Sequence, residues 1–310
     1  MITLTSPNGA PPSRLCFGAM QFGGTADDAA SAEMYAACRA AGVNFFDTAH
    51  VYTGGESERI LGTLVAGERD DLIVATKAAY QGGASRANIL ASLEESRARL
   101  KLDSIDLLYL HRWDPDTPLE ETFYTLAELV EAGTIRTVGV SNYAAWQVMK
   151  AQAVAARVGL RVAALQPMYN LVKRQAEVEI LPMAQDQGIA VMPYSPLGGG
   201  LLTGKYAQGG SGRLTTDTRY AARYAPDWMH EAARGLATIA AEAGVAPATL
   251  AVAWAMKHPG VTAPIVSARS AEQLGPSLAA LEFDLDPALA ERITALSPTP
   301  PPATDRLEEG

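Results

Sequence analysis

Four residues of this chain have the types and the spacing to donate a proton to a carbonyl oxygen: Asp47, Tyr52, Lys77 and His111. An ordinary tyrosine is a weak acid with a pKa of ~10, and a nearby ammonium lowers that value. We therefore interpret Tyr52 as the general acid and Lys77 as the group that tunes it. Asp47 would pair with Lys77, and His111 would orient the substrate or relay a proton.

Each of the four also has an ordinary structural explanation when it is taken alone. Asp47 could cap a turn, Tyr52 could pack in the core, Lys77 could be solvated, and His111 could be a loop histidine. However, Asp47, Lys77 and His111 each follow an apolar run that is typical of a β-strand, and Tyr52 comes five residues after Asp47. Because the carboxyl ends of the strands in a parallel barrel converge on one face, we expect the four side chains to meet there.

The elements that would position these residues alternate along the chain. Strand-like runs lie near residues 15–19, 43–47, 72–76, 105–110, 135–140, 161–165, 189–193 and 263–267. Helical periodicity is found at 27–41, 84–101, 117–131, 143–157, 174–187 and 270–281. Eight strands with intervening helices favour an α/β fold of the (β/α)8 TIM barrel type. The doubly wound alternative would need a Gly-x-Gly-x-x-Gly turn, which the chain lacks.

Three segments depart from the alternation. Residues 1–14 contain the turn signal Asn8-Gly9, so we predict an N-terminal β-hairpin that covers one end of the barrel. Residues 198–226 form a long loop after strand 7, of a length that usually indicates function. The proline-rich stretch that begins at residue 298 predicts a disordered tail over 298–310. Residues 1–297 would then form a single barrel domain.

Composition and charge narrow the class of protein. The chain has 310 residues, of which 48% are hydrophobic, so it can bury a large core and is not a disordered protein. Its 25 basic and 34 acidic residues give a formal charge of −9, which argues against nucleic acid or an anionic membrane as a partner. Two cysteines, no signal-peptide pattern and no apolar run of ~18 residues lead us to expect a soluble, cytoplasmic protein.

Several motifs resemble those of the aldo-keto reductase superfamily, over about residues 13–282. The motifs are Phe46-Asp47-Thr48-Ala49 through Tyr52, Gly55-Glu56-Ser57-Glu58 with Leu61-Gly62, Gly139-Val140-Ser141-Asn142, Gln166, and Tyr194-Ser195-Pro196-Leu197. The catalytic tetrad of that family is carried over onto Asp47, Tyr52, Lys77 and His111 without a departure. Segments 141–146, 166–170 and 201–206 are similar to the aflatoxin-aldehyde-reductase and potassium-channel β-subunit branches.

The resemblance implies a nicotinamide cofactor, usually NADPH, that is bound without a Rossmann domain. Ser141, Asn142 and Gln166 offer the hydroxyl and amide groups that a carboxamide needs, and the ring of Tyr194 can stack on the nicotinamide. Further predicted cofactor contacts near the strand ends and in the glycine-rich loop are Gly18, Met20, Ser195, Pro196, Leu197, Gly199, Leu202, Lys205 and Arg213. The glycines would let backbone N–H groups approach a pyrophosphate.

The adenine end of the predicted cofactor site departs from the family pattern. Ser267, Arg269 and Gln273 can still bind a 2′-phosphate near a helix N-terminus. Pro276 stands where the family usually has a carboxylate, and Ser277 replaces an amide that commonly reaches the adenine. NADH therefore stays possible as the cofactor.

A substrate pocket is predicted from the aromatic and apolar residues near the barrel mouth. Tyr52 and His111 would form its floor, and Met20, Tyr80, Trp113 and Tyr224 its rim. Such a rim suggests moderately apolar aldehydes or ketones. The leading hypothesis is NADPH-dependent reduction of these carbonyl compounds to alcohols, with no metal site. The alternatives are a cofactor-sensing interaction module like the channel β-subunits, or an enzyme that mainly oxidises alcohols or sugars; the oligomeric state is left open.

Overall fold

Eight parallel strands form one sheet in the computed structural model, which describes residues 4–306 and 308. The strands are β1 (Cys16–Gly18), β2 (Phe45–Asp47), β3 (Ile73–Ala78), β4 (Ile105–Leu110), β5 (Ile135–Ser141), β6 (Val162–Gln166), β7 (Ala190–Val191) and β8 (Ile265–Val266). Their order in the sheet is β7-β6-β5-β4-β3-β2-β1-β8. Ile265 N–H also donates to the Pro193 carbonyl at 2.8 Å, which links the two outermost strands as a (β/α)8 barrel requires. The predicted strand segments are confirmed.

Helices surround this sheet and cover its outer face. They are α1 (Asp28–Ala40), α2 (Glu56–Val65), α3 (Arg86–Leu100), α4 (Leu119–Glu131), α5 (Ala145–Ala155), α6 (Ile180–Asp186), α7 (Arg213–Thr216), α8 (Thr218–Arg223), α9 (Asp227–Glu242), α10 (Pro247–Lys257), α11 (Ala271–Leu278) and α12 (Pro287–Thr294). Helices α2, α9, α10 and α12 lie outside the predicted helical segments. In α10, residues 248–255 are all buried. A helix that is apolar on every side has no stripe for a periodicity test to detect.

Strand alternation decides which side chains enter the barrel. Phe45 packs with Ile73 and Leu107 in the cluster inside the barrel, whereas Phe46 packs outward against the helix layer. Because successive strand side chains point to opposite faces, Asp47 has the same phase as Phe45 and points inward. On β3, Ala75 lies in the interior cluster, so Lys77, two residues later, also points into the barrel. The barrel thus presents polar groups at its carboxyl end above an apolar interior.

The N-terminal segment covers the opposite, amino end of the barrel. Gly9 N–H donates to the Ser6 carbonyl at 2.9 Å, and Arg136 donates to the Thr5 carbonyl at 2.8 Å. Over residues 4–14 the structure has this turn and no strand, and residues 1–3 lie outside the described residues. The predicted β-hairpin is therefore not confirmed.

The long segment after β7 contains short helical pieces. Two 3-10 turns, Gly198–Thr203 and Lys205–Gln208, precede α7 and α8. Residues 298–306 contain no helix or strand, and the disorder predicted beyond residue 297 stays a prediction, as does the domain boundary there. Within the described chain no single helix is long and apolar enough to cross a membrane; α9 and α10 meet that test only together, with a bend of 101° between them.

Candidate active site

A buried lysine connects the residues of the predicted quartet at the carboxyl end of the barrel. Lys77, which is 1% exposed, forms an ion pair with Asp47 and donates to the Thr48 carbonyl at 2.7 Å. It also donates to the Tyr52 hydroxyl at 3.3 Å. Its three ammonium protons are thereby used on three oxygens, and two of these belong to the predicted site. Burial opposes the charge of Lys77, but Asp47 and Tyr52 outweigh that effect, and the net result raises the pKa of Lys77.

The Tyr52 hydroxyl keeps its proton at neutral pH. Burial raises the pKa of Tyr52, and the attraction of Lys77 opposes that rise without cancelling it. A charged lysine beside a protonated phenol is the arrangement that a general acid needs, because the ammonium would stabilise the phenolate left after proton transfer.

The His111 imidazole faces the same hydroxyl-bearing ring. Its centroid lies 5.7 Å from that of Tyr52 with the two planes at 83°, and 4.8 Å from that of Tyr80. Nδ1 of His111 is buried and has no hydrogen-bond partner among the described residues. Burial, with smaller contributions from Lys77 and Arg112, lowers the pKa of His111 from 6.5 to about 3. The ring is therefore neutral at physiological pH and can orient a carbonyl through a hydrogen bond.

We expect the His111 imidazole to titrate near pH 3 when its ring C–H resonances are followed by NMR. Because this folded-state pKa lies below the unfolded value, the unfolded chain binds more protons between about pH 6.5 and 3, and stability falls as the pH decreases through that window. His111→Gln assigns the resonance and should remove this part of the pH dependence of the unfolding free energy. A midpoint between about pH 6 and 7 would contradict the assignment.

Strand β6 reaches across the barrel to the same aspartate. Gln166 Nε2 donates to Oδ2 of Asp47 at 3.0 Å, and the Ser141 hydroxyl donates to the Gln166 carbonyl at 3.0 Å. The two predicted carboxamide ligands Ser141 and Gln166 are thus buried next to the quartet. Ser141 and Gln166 thus connect the ends of β5 and β6 with Asp47 of the quartet.

Asn142 fixes the position of Tyr194. The asparagine backbone is left-handed, with φ of 59°, which asparagine tolerates better than most residues. Its Nδ2 donates to the His111 carbonyl at 2.9 Å, and its Oδ1 accepts from the Tyr194 hydroxyl at 2.8 Å. The predicted stacking ring is therefore held by its hydroxyl at the edge of the site.

The glycine run after β7, Gly198 to Gly200, forms a glycine cradle with a left-handed backbone. Gly198, Gly199 and Gly200 have φ values of 57°, 66° and 97°, which side chains disfavour. A Cβ added at Gly200 would lie 3.3 Å from Nζ of Lys205, so this ammonium stands beside the cradle. Arg213 donates to the Tyr220 hydroxyl at 3.3 Å above it. The N–H groups of Gly198 and Gly200 donate to the Ser195 and Leu197 carbonyls, each at 2.9 Å, so the two cations beside the run are what could attract an anionic phosphate.

The end of β8 carries another buried polar atom without a hydrogen-bond partner among the described residues, like Nδ1 of His111. Ser267 Oγ is buried without a hydrogen-bond partner in the described part of the chain. A Cβ added at Gly18 would lie 2.8 Å from Cγ2 of Ile265 and 3.9 Å from Cβ of Ser267, so strand β1 needs a glycine here. The exposed Arg269 precedes α11, and its N–H donates to Oε1 of Gln273 at 2.9 Å.

One predicted adenine contact is corrected by the structure. Ser277 is 1% exposed and belongs to the buried side of α11, so it does not stand on the face where a nucleotide would lie. Pro276 is accommodated in that helix, and its carbonyl accepts from the Thr249 hydroxyl at 2.7 Å.

The sequence model of the Aldo/keto reductase family matches residues 14–298. The chain is 35% identical to a probable voltage-gated potassium channel subunit beta of Oryza sativa subsp. japonica, over 96% of this chain and 97% of that protein. It is 34% identical to the aldo-keto reductase YhdN of Bacillus subtilis, over 88% and 86% of the two chains. It is also 34% identical to the L-glyceraldehyde 3-phosphate reductase of Escherichia coli, over 77% and 75%.

The chain belongs to the aldo/keto reductase family. The family and its reductase-named members support an oxidoreductase that acts on small carbonyl compounds. Members of the family generally use NAD(P)H.

The rim of the site in this aldo-keto reductase differs from the predicted rim in one residue. Tyr80 is 40% exposed, while Met20 and Trp113 are half-buried, and Trp113 packs edge-on against Tyr143 at 5.2 Å. Tyr224 is fully buried, and its hydroxyl accepts from Nδ2 of Asn170 at 3.3 Å. It lies just after the end of α8 and turns inward, so the prediction that Tyr224 lines the rim is wrong.

Tyr220, which the sequence interpretation did not select, stands near the mouth instead. It lies one helical turn before Tyr224 and is half-buried. A Cβ added at Gly199 would lie 2.7 Å from its ring, so the tyrosine covers the glycine cradle. Tyr220 lies inside α8, whereas Tyr224 follows its last residue with a non-helical backbone, so the two rings have different surroundings.

An ion pair between Glu58 and Arg99, which the sequence did not predict, supports the loop that carries Tyr52. Glu58 is fully buried and accepts from the Thr76 hydroxyl at 2.6 Å and from Arg99 at 3.3 Å. Arg99 also donates to the His50 carbonyl at 3.1 Å. The loop from β2 to α2 is thus anchored from its outer side. Glu58 belongs to the motif that suggested the family, but nothing in the sequence connects it with Arg99 on α3.

Proposed function

We propose that this protein catalyses the NADPH-dependent reduction of aldehydes and ketones to alcohols, with Tyr52 as the general acid. The observation that carries the proposal is the single ammonium of Lys77, which contacts both Asp47 and the Tyr52 hydroxyl in a buried site. Tyr52 donates its proton to the carbonyl oxygen, Lys77 stabilises the phenolate that forms, and neutral His111 orients the carbonyl. In the opposite direction the phenolate would accept a proton from an alcohol.

The residues present fit a nicotinamide dinucleotide. The orphaned Ser267 hydroxyl offers a hydrogen bond, and the left-handed glycines from Gly198 to Gly200 allow a close approach to the backbone. Ser141 and Gln166 would hold the carboxamide, Tyr194 would stack on its ring, and Lys205 and Arg213 would neutralise the pyrophosphate. When bound, NADPH would supply the hydride. We also propose a cytoplasmic location, because both cysteines are buried and unpaired.

Turnover is the direct test of the proposed reduction. Purified protein is mixed with NADPH and a panel of aldehydes and ketones, and the absorbance of the reduced nicotinamide is followed. We expect a loss of absorbance that depends on the carbonyl compound. Tight NADPH binding without any turnover would instead favour a cofactor-sensing interaction module. That second candidate is supported by the channel-subunit name of the relative that is 35% identical over 96% of this chain.

We expect Arg269→Ala to raise the dissociation constant of NADPH about tenfold or more, while that of NADH changes less than about twofold. Arg269 is exposed ahead of α11, where a 2′-phosphate would meet both its guanidinium and the helix N-terminus. Fluorescence quenching measures both constants. Arg14→Ala is the matched control, because Arg14 is an exposed arginine ahead of β1, at the other end of the barrel. Equal effects of Arg269→Ala on both nucleotides would show that the phosphate lies elsewhere.

A further inference from the structure

An arginine without a charge partner stands on the substrate side of the candidate site. Arg112 directly follows His111 and is exposed. Its guanidinium carbon lies 5.1 Å from the centroid of the Tyr80 ring, and that ring lies 4.8 Å from the His111 ring. Within residues 4–306 and 308 its side chain makes no hydrogen bond and no ion pair. The N–H groups of Arg112 therefore remain available at the mouth.

Two other cations at this end of the barrel, Arg223 and Lys173, also lack a carboxylate partner in the described residues. The guanidinium of Arg223 lies 5.1 Å from the Tyr220 centroid, and Nζ of Lys173 lies 5.7 Å from the Tyr224 centroid. Neither has a carboxylate partner in the described part of the chain. By contrast, Arg59 and Arg86, on the helices outside the barrel, each pair with a carboxylate. Arg112, Arg223 and Lys173 are thus cations without a carboxylate partner in the described part of a protein whose formal charge is −9.

The nucleotide does not account for Arg112. The glycine cradle follows β7, and Arg269, the predicted contact of the 2′-phosphate, follows β8. Arg112 follows β4, which is separated from β8 by β3, β2 and β1 in the sheet order. A phosphate of the cofactor would therefore lie on another side of the mouth. A substrate whose carbonyl lies at Tyr52 and His111 would have Arg112 within reach of its far end, because the Tyr80 ring contacts both His111 and Arg112.

We propose that Arg112 binds an anionic group, a carboxylate or a phosphate ester, on the carbonyl substrate. The inference rests on the proposed reduction and names the substrate class for it: aldehydes or ketones with an oxyanion a short chain away from the carbonyl. A planar guanidinium presents its donors in a fixed fork that matches an oxyanion, and stacking on Tyr80 holds that fork in place. The moderately apolar rim and the anion site would then bind different parts of one substrate.

The test compares matched substrates and charge variants. The value of kcat/KM is measured with NADPH for butanal against 4-oxobutanoate, and for glyceraldehyde against glyceraldehyde 3-phosphate. We expect the wild-type protein to prefer the anionic member of at least one pair, and the pair with the larger ratio identifies carboxylate or phosphate. Arg112→Gln should lower that anionic-to-neutral ratio about tenfold or more. Arg112→Lys should retain part of the ratio, because it keeps the charge and loses the fork.

Controls separate this inference from the reduction itself. Arg14→Gln removes an exposed arginine ahead of β1, at the opposite end of the barrel, and should leave the ratio unchanged. Raising the salt concentration should lower the wild-type ratio more than that of Arg112→Gln. A wild-type ratio near one, or a ratio that survives Arg112→Gln, overturns the anion site while neutral turnover still supports the reductase. An absence of turnover with all four substrates overturns the reductase and the anion site together.

Discussion

Replacing Tyr52 with phenylalanine is expected to lower kcat by about three orders of magnitude, in the range that general acid catalysis contributes. The change removes only the hydroxyl that Lys77 contacts at 3.3 Å. Lys77 keeps its ion pair with Asp47 and its bond to the Thr48 carbonyl, so the site should retain its shape. Steady-state rates with NADPH and an aldehyde measure kcat, and fluorescence quenching measures the NADPH dissociation constant, which we expect to stay within about twofold.

Tyr124→Phe is the matched control for that experiment. Tyr124 is 45% exposed on α4, so the loss of its hydroxyl should change neither kcat nor the unfolding free energy by a measurable amount. The proton-donor role of Tyr52 would be refuted if Tyr52→Phe kept most of the turnover. It would also be refuted if turnover and cofactor binding fell by the same factor, since that result indicates a damaged cofactor site.

Lys77→Met is expected to abolish turnover and to lower the unfolding free energy by about 3–5 kcal/mol, the usual cost of leaving a buried charge without its partner. Asp47 is 3% exposed and would keep only the amide of Gln166 as a polar partner among the side chains around it. Urea unfolding at neutral pH measures the loss. The methionine keeps most of the length and volume of the lysine, so packing changes little.

A double variant shows whether the lost charge pairing is the cause. Asp47→Asn combined with Lys77→Met removes the stranded carboxylate, and we expect it to recover most of the stability and none of the turnover. The pH dependence has a definite sign. Burial already raises the pKa of Asp47 above its unfolded value although Lys77 opposes it, and in Lys77→Met this pKa should rise further because the ammonium is gone. The penalty should therefore grow as the pH rises through that window and vanish in acid. A double variant that is no more stable than Lys77→Met would contradict this account.

The sequence was sufficient to predict the parts of the site that local chemistry determines. The apolar run that ends at Asp47 predicts a strand with an acid at its carboxyl end, and the structure has the strand Phe45–Asp47 there. The same reasoning brought Lys77 next to Asp47 because neighbouring parallel strands end on one face. These predictions succeeded because a strand-like run and the residue that ends it are properties of adjacent residues.

Other features could not be predicted because they depend on distant contacts or on small angular differences. The bond from Arg99 to the His50 carbonyl joins residues 49 positions apart on different elements. Tyr220 lies within α8 and Tyr224 lies just beyond its last residue, Arg223, so the end of this short helix decides their different surroundings. Ser277 was selected by alignment with a family pattern, whereas the burial of one face of α11 decides its environment.

The way in which the first residues attach to the barrel has a practical consequence. Leu4 packs into the interior cluster from the amino end, and the Thr5 carbonyl accepts from Arg136 at 2.8 Å. Tyr52 and His111 open at the other end of the same barrel. A linker joined ahead of Leu4 would therefore leave the molecule on the side away from the chemistry. Immobilising the protein on a solid support through that end should leave its mouth facing the solution.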